Sequence, residues 1–339
     1  MTAAAAKSVT NTATEPAGRC AVIQVKRGIG DVVWHLPFIR AIAGVSPGGR
    51  VTFLAPPSSG ARELLAAEPS VAETLYFEHS GSEWERGFNL IRLIRLLRQH
   101  RFHTLWILDR TTRPAFAAML AGIPNRIGLG LGRQRWFITN PGIDTKHFHD
   151  VPVDWLAALM AAMQVPLPTI EPKLILRGEI LAGIDSRFGQ NARPWIVLGL
   201  GGSHPDKDWP DDYWREFVAS LRARTPGTIY LIGGAANMER ARELAAGDSG
   251  ARVVNACDLS LANAAALLHH ADLFIGPDSG PMNIAAATGT TAFGLFGTTP
   301  VLKNSSFIHP IVPEGGPAPG GMRRILPGAA LERIAPHLT

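Results

Sequence analysis

Cysteine is nearly missing from this chain: 339 residues contain two, Cys20 and Cys257. No disulfide framework can hold such a fold, neither thiol has a C-x-x-C neighbour, and a reducing compartment is the simpler setting. Long apolar runs are missing too. No window approaches 18 consecutive apolar residues, so no spanning helix is expected. The opening MTAAAAKSVTNTATEPAGR has small and polar residues where a signal peptide carries its apolar stretch, and residues 1–18 read as a flexible tail on a cytoplasmic protein. His147, His149, His269 and His270 lack Cys or His companions at zinc spacing, so no metal is expected. A G-x-G-x-x-G fingerprint after Gly28 and Gly30 would need glycine at Val33, which weighs against a dehydrogenase.

What is present points to a two-domain globular protein. At about 150 residues per domain, the length predicts roughly two, each able to bury its own core. Apolar residues make up 46% and charged residues 18%, with 35 glycines and 26 prolines in no periodic array. That composition is neither collagenous nor disordered. The formal charge of +5 is unevenly spread: residues 1–170 hold 18 Lys/Arg against 12 Asp/Glu, and residues 171–339 hold 15 against 16. Between Arg86 and Arg135 there are ten arginines and one acid, Asp109, a concentration that would steer an anionic partner. No aromatic-interleaved or zinc-finger pattern accompanies it, so nucleic acid is not the expected partner.

Short β-branched and aliphatic runs alternate with longer helical patterns, which predicts an α/β fold with parallel sheets. Candidate strands are 21–25, 51–54, 72–77 and 104–108 in the first half, then 195–200, 228–232, 252–255, 273–275 and 291–296. Between the two series, VPLPTIEPK at 165–173 places three prolines in nine residues, a stiff connector. The predicted organisation is a tail (1–18), an N-terminal unit (19–165), a C-terminal unit (174–325) and a final helix (326–339). Ligands of such sheets bind at the carboxyl ends of strands, so the loops there are the candidates for chemistry.

Three loops stand out. The first strand runs into Lys26-Arg-Gly-Ile-Gly-Asp31, where Gly28 and Gly30 permit close backbone approach. Asp31 starts a helix, either as an ordinary N-cap or as a carboxylate projecting into a crevice. The strand WIVLGL delivers Gly201-Gly202-Ser203-His-Pro-Asp-Lys207, with exposed amides, a hydroxyl and an ammonium suited to a phosphate. Asp206-Lys-Asp208 also spells D-x-D, which reads as a solvated pair rather than a metal site. Finally, Gly276-Pro-Asp278-Ser279-Gly280-Pro281-Met282 turns a buried strand into an Ala-rich helix. Its N-terminal amides could receive an anion such as a diphosphate, or the turn is strand–turn–helix punctuation. The basic amphipathic stretch with Arg92, Arg95 and Arg98 fits a solvated helix face better than membrane-surface contact. The glycine-rich Gly128–Gly132 loop reads as structural.

These motifs, in order along the chain from about Ala21 to Ile334, resemble glycosyltransferase family 9, the lipopolysaccharide heptosyltransferases and their relatives. Gly30-Asp31 with His35-Leu-Pro37 resembles the family's G-D-x-x-x-x-L-P signature. Lys207 with Trp209-Pro210 resembles K-x-W-P, and Asp278-Ser-Gly-Pro-Met282 the donor-site turn. Asp109, Gly122, Arg126-Ile-Gly128, Leu295-Phe-Gly297 and Met322, Ile325 and Pro327 follow its further landmarks. The resemblance implies a GT-B fold of two facing Rossmann-like domains. It also implies an inverting, metal-independent transfer of a sugar, typically heptose from ADP-heptose, onto a hydroxyl of a lipopolysaccharide core or other glycan acceptor. On it, Asp31 is the general base and Lys207 a catalytic cation. Gly28, Gly30, Gly202, Ser203, Lys207, Asp278, Ser279, Gly280, Pro281 and Met282 surround the donor, and Arg110, Arg113 and Arg126 meet the acceptor. No cofactor beyond the nucleotide-sugar substrate is implied. The acceptor, a glycan or glycolipid, would be met in the cytoplasm, at most peripherally at the inner membrane face.

The chain departs from the family pattern in three places. Asn283 stands where the family usually has His after the D-[ST]-G-P-M turn, and Thr-Thr-Pro-Val-Leu-Lys follows Gly297 in place of the more usual Pro-Thr-Asp-Pro run. The acidic residue expected to grip the donor ribose aligns ambiguously near Ala235–Glu239. A non-catalytic nucleotide-sugar-binding relative and a nucleotide-sugar epimerase of the same architecture are the alternatives; retained Asp31 speaks against the first and the absence of identifiable further acid/base residues against the second.

Overall fold

The computed structural model describes residues 18–78, 82–144, 146–147, 151–202, 204–246, 252–302 and 304–338. Residues 1–17 of the expected tail, His149 and Ser203 lie outside the described residues.

The first unit is built on β1 (Cys20–Ile23), β2 (Val51–Ala55), β3 (Val71–Tyr76), β4 (Thr104–Ile107) and β5 (Asn125–Ile127), all parallel in the order β3-β2-β1-β4-β5. The helices along it are α1 (Ile29–Gly44), α2 (Ala61–Leu64), α3 (Glu83–His100), α4 (Thr112–Ala121) and α5 (Pro152–Ala162). Helix α6 (Gly178–Phe188) precedes the second sheet, in which β6 (Trp195–Gly199), β7 (Thr228–Ile232), β8 (Val253–Asn255), β9 (Leu273–Pro277), β10 (Ala292–Leu295) and β11 (Ile308–Ile311) lie parallel as β11-β10-β9-β6-β7-β8. Its helices are α7 (Asp211–Arg224), α8 (Met238–Ala246), α9 (Leu261–His270), α10 (Gly280–Ala287) and α11 (Pro327–Ile334). Strands such as WIVLG and TIYLI are buried at every position, as a parallel sheet covered on both faces requires.

Both sheets reverse direction about their first strand, between β1 and β4 and between β6 and β9. Crevices at such switch points, beyond the carboxyl ends of the strands, are where doubly wound sheets bind ligands. The candidate loops therefore fall at equivalent places in the two units. The α/β architecture agrees with the sequence expectation, with local differences. Strands β5 and β11 were not foreseen: β5 is three residues, two of them polar, and β11 carries Pro310, which a sheet tolerates at an edge, where β11 lies. Strand β9 runs two residues past Ile275, and the segment between β2 and β3 forms a short 3₁₀ turn (Pro57–Ser59) and the four-residue α2.

One apolar cluster unites the units: Val32, Leu36 and Ile39 of α1 belong with Ala265 of α9 and Ala285 of α10. The 165–173 connector has no helix or strand and is fastened on both sides, Leu174 N donating to Ala287 O (2.8 Å) and Arg40 Nη2 to Lys173 O (2.6 Å). Arg40 also grips the buried carboxylate of Glu68, with Nη2 2.6 Å from Oε2. Helix α11 packs Leu331 and Ile334 into the same cluster as Phe217 and Leu221 of α7.

Because Glu68 is buried, removing its cation leaves a charge with no compensation. Arg40→Met should lower unfolding free energy by about 2–3 kcal/mol, and adding Glu68→Leu should recover most of that loss. Urea unfolding of both variants measures this; a double variant less stable than Arg40→Met would refute it.

Candidate active site between the two sheets

In the second unit, β6 ends at Gly199 and β9 at Pro277, and their loops converge. Lys207, in the 3₁₀ turn Pro205–Lys207, donates from Nζ to Asp278 Oδ2 (2.8 Å) and to Asp278 O (3.2 Å). Thr299 Oγ1 donates to the same Oδ2 at 2.8 Å. Asp278 thus holds the ammonium from behind, and a carboxylate so placed orients Lys207 rather than contacting an anion itself. Ser279 follows in extended conformation as the N-cap of α10, yet its side chain makes no capping bond. Its hydroxyl is buried and has no hydrogen-bond partner among the described residues. Pro281 sits in the first turn of α10, where a missing N–H costs nothing. The remaining first-turn amides and the helix dipole give this end an affinity for negative charge. Gly276 has a steric reason: a Cβ there would lie 2.9 Å from Gly199 O. Gly202 has one as well, since its Cβ would stand 2.7 Å from Lys207 Cβ, so the ammonium's chain folds back over it.

Met282, expected beside the donor, is fully buried, and its sulfur packs against Gly294 of β10. It joins helix to sheet and faces no crevice. Asp208 of the D-x-D pair, expected to be solvated, is instead taken by Arg240 in a two-point pair (3.0 and 2.9 Å) that also ties Leu200 O through Arg240 Nη1 (2.6 Å). Among the described residues no group of three His, Cys, Asp or Glu is placed to hold a metal ion. Glu239 pairs with Arg242 at an exposed position of α8.

In the first unit, Asp31 occupies the first turn of α1, about a third exposed, with Lys26 Nζ 3.3 Å from Oδ1. Gly28 is the N-cap, and a Cβ on it would come within 2.6 Å of Asp31 Oδ2, so glycine there clears the carboxylate. The loop carrying Lys26 is braced from below. Gln24 Nε2 donates to Lys26 O (2.9 Å) while Gln24 Oε1 meets His35 Nδ1 at 2.6 Å. Asp109, at the end of β4, accepts from Val25 N (3.0 Å) and from Thr111 N (2.8 Å), and burial pushes its carboxyl above the usual range. Next to it opens a cavity of about 420 Å³ lined by Lys26, Arg27, Asp109, Arg110 and Trp155, with the Arg110 guanidinium 5.0 Å from the Trp155 ring centre. Arg113 lines a smaller adjoining cavity with Phe77 and Asn89. Arg126 does not join them: it donates to the carbonyls of Phe137 (2.7 Å), Ile123 (2.6 Å) and Pro124 (3.2 Å) and fastens the β5 segment, which removes it from the acceptor set. On the outer face of α3, Arg92 lies over the half-exposed Phe88 ring at 4.3 Å.

The two sides meet directly. Helices α1 and α10 touch at their starts, where a Cβ on Gly280 would lie 2.9 Å from Ile29 Cβ and one on Gly30 would lie 2.4 Å from Asn283 Nδ2. Trp34 Nε1 donates to Asn283 Oδ1 at 3.1 Å, and Glu63 of α2 accepts from Ala262 N of α9 at 3.2 Å. Asp31 in the first turn of α1 and Ser279 at the start of α10, with Lys207 and Asp278 beside it, therefore lie on either side of this helix contact. Gly30 and Gly280, expected to contact donor, also make this helix contact close. Sequence reasoning did not single out Lys26, Gln24, Trp34, Thr299 or Arg240; the one available signal was Trp34 at i+3 from Asp31, on the same helix face.

His35 is fully buried, and desolvation, then the charge of Lys26, lowers its pKa to about 3. As pH falls below the ordinary value near 6.5 the unfolded chain takes up a proton that the native ring refuses. The neutral ring's contribution is therefore complete above about pH 6.5 and is lost progressively towards pH 3. Urea unfolding should show wild type losing stability more steeply than His35→Gln between about pH 7 and pH 4.5. Parallel curves would count against this.

Comparison with known proteins agrees with this architecture. The family model described as "Glycosyltransferase family 9 (heptosyltransferase)" matches residues 90–311. Lipopolysaccharide heptosyltransferase 1 of Pseudomonas aeruginosa is 35% identical over 138 residues, a stretch covering 41% of this chain and 37% of that protein. Lipopolysaccharide core heptosyltransferase OpsX of Haemophilus influenzae is 24% identical over 281 residues, 79% of this chain and 76% of that one. The solved structure of Escherichia coli ADP-heptose lps heptosyltransferase II superposes with a TM-score of 0.76 at 22% identity, over 94% of this chain and 98% of that one, so the two share the GT-B fold. With the family model spanning well over half its length, the chain belongs to glycosyltransferase family 9.

Proposed function

We propose that this protein is an inverting glycosyltransferase that moves a heptose from ADP-heptose to a hydroxyl of a lipopolysaccharide core acceptor without a metal ion. One observation carries the reading: a carboxylate at the switch point of one sheet faces, across touching helices, an ammonium and a helix N-terminus at the switch point of the other. The acceptor hydroxyl gives its proton to Asp31 as its oxygen attacks the anomeric carbon. The bond from that carbon to the diphosphate breaks on the opposite face, which inverts the centre. Negative charge grows on the departing diphosphate, where Lys207, the Ser279 hydroxyl and the first amides of α10 receive it. Fixed donors aimed at developing charge need no reorganisation at the moment of reaction. Lys26 and Arg110 line the cavity beside Asp31 and suit an acceptor bearing phosphate or carboxylate. The relatives' names support the choice of sugar and acceptor.

Asp31→Asn should leave ADP binding unchanged while transfer falls by about 10²–10⁴-fold, the usual contribution of a general base. Undiminished transfer would refute the assignment and favour a non-catalytic or differently organised site. In a thermal-shift panel of ADP-, GDP- and UDP-sugars, the ADP-heptose arm should stand out, since ligand at 100 times its Kd stabilises by about 2.7 kcal/mol. Transfer should persist in excess chelator; its abolition would reject the metal-free mechanism.

A further inference from the structure

Asp31 and the donor-facing end of α10 belong to different sheets, so their alignment depends on whatever fixes α1 against α10. Trp34 lies three residues after Asp31, on the next turn of the same face of α1. Asn283 lies four after Ser279, one turn into α10, and is buried. Their side chains meet at 3.1 Å. Because an indole N–H can only donate, the amide must present its oxygen to Trp34, which turns Nδ2 towards Gly30. Gly30 and Gly280, each lacking the Cβ that would hit the opposite helix, bring the backbones close enough for this bond to form.

We propose that Trp34 and Asn283 are a positioning pair that sets the distance between the Asp31 carboxylate and the donor's anomeric carbon. The inference rests on the transferase reading above and adds two residues that touch neither proton nor phosphate in it. An asparagine suits the task because its acceptor does not titrate, so the tie persists across the pH range in which a histidine would change charge. Transfer geometry is steep in distance: misplacement by about 1 Å costs on the order of 10²-fold in rate. Loosening the tie should therefore slow the chemical step while the donor site, whose binding groups all lie in the second unit, keeps its affinity.

The experiment is a double-variant cycle on Trp34→Phe and Asn283→Ala, with kcat and donor KM for heptosyl transfer and Kd for ADP measured on each protein. Expected are a loss in kcat of about tenfold for each single variant, a donor KM and ADP Kd within about twofold of wild type, and a double variant no slower than the worse single one. A merely structural role would lower the melting temperature and the ADP-binding fraction but leave kcat per binding-competent molecule unchanged, and that outcome overturns the proposal. Additive losses, or full kcat in Trp34→Phe, overturn it as well. A wild-type protein that transfers no sugar overturns the transferase reading first and this inference with it, whereas active wild type with an indifferent Trp34→Phe overturns the inference alone.

Discussion

The close approach of α1 to α10 is the constraint on which the active arrangement depends. The two helices come this close at their N-termini because Gly30 and Gly280 carry no Cβ to strike the opposite helix. The contact brings together two helix starts, each beyond the carboxyl end of a central strand of its own sheet. On the proposed reading the base and the leaving-group site belong to different units, so the chemistry would require the seam.

On each side of the seam the charge that the proposed reaction uses is held by groups with no part in that reaction. Asp278 and Thr299 anchor Lys207, and an incoming diphosphate would take over an ammonium already in place. Gln24, neutral His35 and buried Asp109 fix the loop of Lys26, which stands beside Asp31. Such supports keep long cationic side chains from spending rotamer freedom at the moment of binding.

Much of this was legible in the sequence because it is local. All-buried runs such as WIVLG announce parallel strands, and Gly, Pro and Asp at their ends announce turns, so Asp31, Lys207 and Ser279 could be placed on strand-end loops before any coordinates. What failed depends on which way a side chain faces. Met282 sits within the donor turn's motif yet packs into the sheet, and Arg126 stands in a basic stretch yet satisfies three carbonyls. Trp34, Thr299 and Arg240 gain their roles from partners 249, 21 and 32 residues away, separations that no spacing rule reaches. The edge strand with Pro310 escaped for the opposite reason: a local rule disfavours it, and only its outermost position makes it admissible.

The lone hydroxyl of Ser279 carries a consequence for selectivity. Sequestered from solvent and without a partner among the described residues, it represents a standing penalty of about 1–3 kcal/mol that an acceptor oxygen brought to that spot would relieve. A bare nucleoside would leave the debt outstanding, while a pyrophosphate linkage would cancel it. On the proposed reading, discrimination for the activated sugar over its unphosphorylated fragments would follow from this deficit in the resting fold rather than from any contact already formed.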